Sequence, residues 1–230
     1  MHPRAPDTDR GFQGKQTIFI VDDHPVLRRG LTALIESEPD LAVCGEAATC
    51  RGALEAIHEH QPDLVIVDIA LEGQDGLELI KQMKTRLPKI PGLVLSMYDE
   101  KVYAERALRV GARGYVTKQQ LDETLLVAIR RLLRGEIYLS AKLEARLATK
   151  FVAGQTLETD SPLNALSDRE LQVFRLIGQG QSTRQIADTL HLSIKTIESH
   201  REHIKHKLTI ESAAELAQRA TRWVETGRTG

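Results

Sequence analysis

The chain has only two cysteines, Cys44 and Cys50. They could pair, but two are too few for a disulfide framework or a cysteine-built zinc site. Net charge is nearly absent, since 31 Lys and Arg stand against 32 Asp and Glu to give −1. That excludes a polycationic nucleic-acid binder. It does not exclude a locally basic surface, because the electrostatic footprint belongs to a patch rather than to a chain. No apolar run approaches the ~18 residues of a membrane-spanning helix, so no membrane partner is expected. The first 16 residues are polar and lack the apolar core of a signal peptide, which points to a disordered extension and a cytoplasmic location. The rest is ordinary for a globular protein: 41% hydrophobic and 27% charged over 230 residues, room for one large domain or two ordinary ones.

Four short apolar runs end in side chains that carry chemistry. Ile18-Phe19-Ile20-Val21 ends in Asp22-Asp23, and Leu64-Val65-Ile66-Val67 ends in Asp68. Gly92-Leu93-Val94-Leu95 ends in Ser96, and Gly114-Tyr115-Val116-Thr117 ends in Lys118. Continuous apolar runs separated by helical patterns read as buried parallel strands. Strands are expected at 17–21, 41–45, 63–68, 92–96 and 113–117, with helices near 25–37, 49–60, 75–86, 100–110 and 119–134. Leu27, Leu31, Leu34 and Ile35 give the first helix an apolar face. Gly111 and Gly135 are expected to end the fourth and fifth helices. Repeated βα units predict an α/β, doubly wound, five-stranded parallel sheet of the flavodoxin-like kind over 17–134.

In such a sheet the reactive groups gather beyond the carboxyl ends of the strands. Three carboxylates, a hydroxyl and an ammonium therefore converge on one edge. Packed carboxylates repel unless a cation joins them, and a hard ion such as Mg2+ prefers oxygen ligands. The set suits phosphoryl transfer to a carboxylate, with metal and lysine neutralising the phosphoryl oxygens.

Residues 135–165 read as a linker with a short amphipathic helix at 140–152, followed by the polar run Gly154-Gln155-Thr156-Leu157-Glu158-Thr159-Asp160-Ser161-Pro162. From 166 to 230 no strand pattern appears, and a small all-α domain is expected. Ser167 with Glu170, and Ser182 with Gln185, are capping boxes that open two helices. Ser193 can cap a third, and a fourth covers roughly 211–223. The helices at 182–190 and 193–208 make a helix-turn-helix. Ile194, Ile197, Ile204 and Leu208 share one stripe of the second, while Lys195, Glu198, Ser199 and Glu202 share the opposite face. Thr196, His203, Lys205 and His206 flank that face. Four Lys or Arg against two Glu over 191–208 make the helix locally positive, as a major-groove reader requires.

These segments resemble the NarL/LuxR-type response regulators over about residues 17–230. The receiver resemblance rests on Val21-Asp22-Asp23-His24-Pro25, Pro62 through Asp68, Asp75-Gly76, Leu95-Ser96 and Gly111 through Lys118. The C-terminal resemblance rests on Leu166-Ser167-Asp168-Arg169-Glu170, Ile186-Ala187, Lys195 through His200, Ile204, Lys207 and Leu208. It implies a phosphorylation-dependent transcription regulator, not an enzyme, with Asp68 accepting phosphate from a sensor histidine kinase. It implies Mg2+ held by Asp22, Asp23, Asp68 and the backbone carbonyl of Ala70. Ser96 and Lys118 would contact the phosphoryl oxygens, and Tyr115 would turn inward when Ser96 moves; Tyr98 is expected to flank the same edge. It further implies a homodimer when phosphorylated, bound to double-stranded DNA. Candidate DNA contacts are Ser182, Thr183, Arg184, Lys195, Thr196, Glu198, Ser199, Arg201, Glu202 and Lys205.

Two departures stand out. The loop after Asp68 lacks the proline usual in the family and carries Glu72. Many relatives have lysine where Glu198 stands, and a glutamate there would accept from a cytosine amino group or orient Lys195 or Arg201. A rival from another class is an aspartate-based phosphohydrolase, which uses a second aspartate two residues after the nucleophile. Ala70 occupies that position, and the helical half has no purpose in such an enzyme. A phosphorylation-dependent module whose helical half binds protein is a third reading. His191, His200, His203 and His206 include spacings of three residues, which raises a metal site, but no nearby cysteine or carboxylate arrangement completes it.

Overall fold

A computed structural model of the chain describes residues 14–71, 75–98, 100–121, 123–152 and 162–226. Most of the N-terminal extension, Glu72-Gly73-Gln74 and the polar run 153–161 lie outside the described residues. The described residues divide into two compact units: 14–71, Asp75–Ser96 and Ala107–Leu139 form the first, and Met97–Arg106, 140–152 and 162–226 the second.

In the first unit β1 (Gln16–Val21), β2 (Leu41–Ala47), β3 (Leu64–Asp68), β4 (Gly92–Ser96) and β5 (Gly114–Thr117) form one parallel sheet in the order β2-β1-β3-β4-β5. Between them run α1 (Pro25–Glu36), α2 (Cys50–His60), α3 (Gly76–Arg86) and α4 (Glu100–Val110), and α5 (Glu123–Leu133) follows β5. The central strands are buried on both faces, as parallel strands covered by helices must be. One face packs Ile18, Ile20, Leu64, Ile66, Leu93, Leu95 and Val116 against Leu31 and Ile35 of α1 and Leu125, Ile129 and Leu132 of α5. Leu27 and Leu34 lie half-buried against the same cluster, so the expected face of α1 is there, graded rather than uniformly buried. Gly111 and Gly135 end α4 and α5 at φ of +121° and +81°, a region closed to residues with a β-carbon unless strained. Past α5, Tyr138 bridges to Gly114 of β5, and the compact unit runs to Leu139.

Strand order reverses between β1 and β3, and the register decides what meets there. Val21 pairs with Val67, so Asp22 and Asp68 leave the sheet side by side. Asp68 pairs with Leu95, and Ser96 with Thr117, so Ser96 and Lys118 follow on the same edge.

The second unit contains α6 (Ala141–Val152), α7 (Asp168–Gly178), α8 (Thr183–Leu190), α9 (Ile194–Leu208) and α10 (Ala213–Thr226). Both capping boxes form, with Ser167 and Ser182 accepting from the amides of Glu170 and Gln185, and Ser193 caps α9 through the Thr196 amide. Each cap satisfies an amide that has no partner within its helix, typically worth about 1 kcal/mol. Leu171, Phe174, Ile177, Ile186, Ile197, Ile204, Leu216 and Trp223 form the core. Ile194, expected on the buried stripe of α9, is 44% exposed. It is the first residue of the helix, ahead of the turn where α9 closes on its neighbours. The segment Met97–Arg106 belongs to this unit, and within it Arg106 bonds Asp168 and the Leu163 and Leu166 carbonyls at 2.7, 2.9 and 2.8 Å. Tyr98, read from sequence as a flank of the acidic edge, stacks instead on Trp223 at 5.7 Å.

Candidate functional sites: an acidic pocket and a helix-turn-helix face

Asp22 and Asp68 are buried, and between them sits the Lys118 ammonium. Lys118 Nζ donates to Asp22 Oδ2 at 2.8 Å and to Asp68 Oδ2 at 2.7 Å, with its side chain only 6% exposed. Lys118 opens a 3-10 turn after β5, which brings its long side chain back over the strand ends. The other oxygen of Asp68 accepts from the Ala70 amide at 3.1 Å. Ala70 thus touches the pocket through its N–H. Asp22 Oδ1 accepts from the His24 amide at 2.7 Å, and the Asp22 carbonyl accepts from Arg28 Nη1 at 2.6 Å. Arg28 was not singled out from the sequence. Its position on α1 carries no motif, and only the turn after β1 reveals what it reaches.

The electrostatics follow from burial against pairing. Burial pushes the Asp68 carboxyl above its ordinary value, only partly countered by the Lys118 charge and hydrogen bonds. Burial alone would lower Lys118, but the Asp68 charge and its bonds to Asp22 and Asp68 outweigh that and raise it. With both carboxylates ionised, the lysine and two aspartates therefore form a cluster one positive charge short of neutral.

Asp23 differs. His24 Nδ1 approaches its Oδ1 to 2.5 Å, but without hydrogen-bond geometry, and that buried oxygen has no hydrogen-bond partner. Ligand atoms of Asp22, Asp23, His24 and Asp68 lie within 4.8 Å of one another. An orphaned carboxylate oxygen beside two more carboxylates fits a hard divalent cation. Ser96 and Tyr115 are both buried, so the hydroxyl at the end of β4 lies within the fold rather than on its surface. A separate cleft, lined by Ile80, Met83, Pro88 and Leu132, borders Gln16 and Asp63, which lie at or beside the amino ends of β1 and β3, away from this chemistry.

The helical face is as open as a reader of DNA must be. Ser182, Arg184, Lys195, Glu198, Ser199 and Glu202 are exposed, and Thr183, Thr196, Arg201 and Lys205 half-buried. Lys205 pairs with Glu202 at 2.9 Å, and the Thr196 hydroxyl meets Ser193 at 2.8 Å, so these have partners within α9 and its cap. The hydroxyl of Ser182 is used in its cap, leaving the first amides of α8 as the feature it offers. Behind this face, Glu170 joins Lys207 at 2.7 Å and the Ser167 amide at 2.7 Å. Burial would raise Glu170, but these bonds hold it below the usual range. Burial also lowers His200.

Residues 18–130 match the response regulator receiver domain, and residues 164–220 match the bacterial regulatory proteins of the luxR family. The oxygen regulatory protein NreC of Staphylococcus aureus (strain bovine RF122 / ET3-1) is 36% identical over 207 residues, covering 88% of this chain and 95% of NreC. RcsB from Salmonella enterica serovar Typhimurium, solved bound to promoter rprA with phosphomimetic BeF3−, is 26% identical. It superposes with a TM-score of 0.64 over 89% of this chain and 97% of that one. A LuxR-family two-component response regulator from Aurantimonas sp. SI85-9A1 is 33% identical, with a TM-score of 0.56 over 60% of this chain and 99% of that one. Among the described residues no helix is long and apolar enough to cross a membrane. With a receiver pocket in the first unit and a luxR-family helix-turn-helix in the second, the chain belongs to the LuxR-family response regulators, the phosphorylation-dependent transcription regulators of two-component systems.

Proposed function

We propose that Asp68 is the phosphoryl acceptor and that its modification by a cognate sensor histidine kinase governs binding of the chain to double-stranded DNA. The observation that carries this is the buried Lys118 ammonium shared by Asp22 and Asp68 at the point where strand order reverses. A carboxylate oxygen of Asp68 forms a bond to phosphorus as the P–N bond of a phosphohistidine breaks. The electron pair returns to the imidazole nitrogen, and an acyl phosphate remains. Lys118 stays beside the new group and balances part of its added charge, and the Ser96 hydroxyl donates to another oxygen. Asp22, Asp23, Asp68 and the Ala70 carbonyl hold Mg2+, which when bound supplies charge neutralisation for the phosphoryl oxygens. Tyr115 follows Ser96 as the switch residue. The receiver spans 17–134, the linker 135–165 and the DNA-reading domain 166–230, with the phosphorylated form a homodimer joined through α10. Paired α9 helices then read half-sites about 10 base pairs apart.

Incubation with a small phosphodonor and Mg2+ tests the acceptor. Asp68→Asn keeps the size but loses the nucleophile, so it should take no label, and undiminished labelling would disprove the assignment. Asp23→Ala should lose metal affinity and labelling together. On the helical face, Lys195→Ala should weaken binding to all sequences and lower the salt slope by about one unit, as loss of one phosphate contact does. Glu198→Ala should instead relax one base position by about 1–3 kcal/mol, the cost of one direct contact. Titration against single-base operator variants at several salt concentrations separates the two.

A further inference from the structure

The histidines of α9 have a carboxylate after all, supplied by another helix. Glu170 on α7 lies against the face of α9 that carries His200 and His203. Side-chain ligand atoms of the three residues fall within 4.8 Å of one another. We propose that His200, His203 and Glu170 form a binding site for a divalent transition ion of the zinc class.

The division of labour within Glu170 makes the site specific. Its Oε2 is committed, accepting from the Ser167 amide and from Lys207, each at 2.7 Å. Its Oε1 lies 3.8 Å from His203 Nδ1, too long for a hydrogen bond. Glu170 is 4% exposed and fixed by its capping box, so it is a rigid ligand. His200 is half-buried one turn before His203 on the same side of the helix. The His203 side chain is 63% exposed and free to swing, which lets it close the last distance.

Chemistry selects the ion. Two imidazoles and one carboxylate are the ligand set of an open tetrahedral site, with water in the fourth position. Imidazole nitrogen suits Zn2+, Ni2+ and Cu2+ and disfavours Mg2+, which wants oxygen and an octahedron. The three-residue histidine spacing is visible in the sequence, but the carboxylate is not, because it comes from a helix two elements earlier. Lys207 on Glu170 and Arg169 near His200 add positive charge, so the site binds more weakly than a dedicated structural zinc site. The site needs no DNA contact to exist, so its test reads the metal directly and is independent of the proposed DNA reading.

Full-length protein with Mg2+ in large excess, to load the acidic pocket, is titrated with Zn2+ against a chromophoric chelator. One Zn2+ per chain is expected. His203→Gln removes an exposed ligand without touching the core and should weaken binding by more than the roughly tenfold cost of losing an outer-shell partner. His200→Gln should do the same, and zinc-edge absorption of the wild type should show two imidazoles that fall to one in either variant. His206→Gln, outside the cluster, should bind as wild type. Absence of Zn2+ binding, equal binding by His203→Gln, or an equal loss in His206→Gln would each overturn the proposal.

Discussion

Gly76→Ala is expected to abolish phosphoryl labelling and to destabilise the first unit by about 1–3 kcal/mol, the usual cost of forcing atoms into a packed site. A β-carbon at Gly76 would stand 2.0 Å from the Asp68 carbonyl oxygen, 2.9 Å from its carbon and 3.0 Å from Ile69 Cα. All three are backbone atoms, so no side chain can swing aside. The Gly76 amide also donates to the Ile69 carbonyl at 3.1 Å, which ties the start of α3 to the residue after the acceptor. Relieving the clash must therefore move Asp68 relative to Lys118 and Asp22, whose hydrogen bonds tolerate only tenths of an ångström. Gly52→Ala is the control. It lies inside α2, where an added β-carbon would meet only Thr49 Oγ1, at 3.8 Å, beyond the helix's own backbone and the adjoining residues. There alanine should be neutral or stabilising by up to about 1 kcal/mol, the helix-propensity gain. Denaturation curves and labelling of the two variants decide it, and wild-type labelling of Gly76→Ala would contradict the close approach.

Lys118→Met should have an effect as large, by another route. Removing the ammonium leaves Asp22 and Asp68 buried without their shared partner, and breaking a buried pair from one side costs about 3–5 kcal/mol. The sign with pH is fixed by the two shifts. Lys118 is raised above 10.5, so its stabilisation is complete below that value and is lost only as pH rises through the higher folded one. Asp68 is raised above 3.8 even with the lysine present, and without it rises further. A carboxyl raised on folding destabilises at high pH and has no such effect below its unfolded value. The deficit of Lys118→Met should therefore be full at pH 7 and shrink as pH falls toward 3.8. Added Mg2+ should restore part of it at neutral pH. Denaturation of wild type and variant across pH checks this, and a deficit that grows on acidification would count against the buried-pair description.

How much of this was legible beforehand depends on whether the cause was local. The strand-ending residues Asp22, Asp68, Ser96 and Lys118 could be read because a parallel sheet sends every strand end to the same edge, and the register holds them there. The serine caps were legible because a capping box is closed within four residues. Ile194 misled because helical periodicity does not know where a helix meets its neighbour, and the first residue of α9 stands outside the contact. Arg28 was missed because its contact with the pocket is to a backbone carbonyl, which has no letter in the sequence. The dependence on Gly76 was visible only as part of a matching segment, and its reason, a backbone passing at van der Waals range, is tertiary. Glu170 escaped as a neighbour of the histidines because the fold, not the spacing, joins α7 to α9. Tyr98 was read as a flank of the acidic edge, whereas its ring packs with Tyr103 and Trp223, which the sequence does not bring together.

The most direct test of a phosphorylation-governed DNA reader is one titration in three arms. Full-length wild type, treated with a small phosphodonor and Mg2+, is titrated against a selected operator beside untreated wild type and beside Asp68→Asn treated in the same way. The prediction is salt-dependent binding in all three arms, with a gain in operator affinity on treatment of wild type and no gain in Asp68→Asn. A gain of equal size in Asp68→Asn, or no gain in labelled wild type, would contradict it.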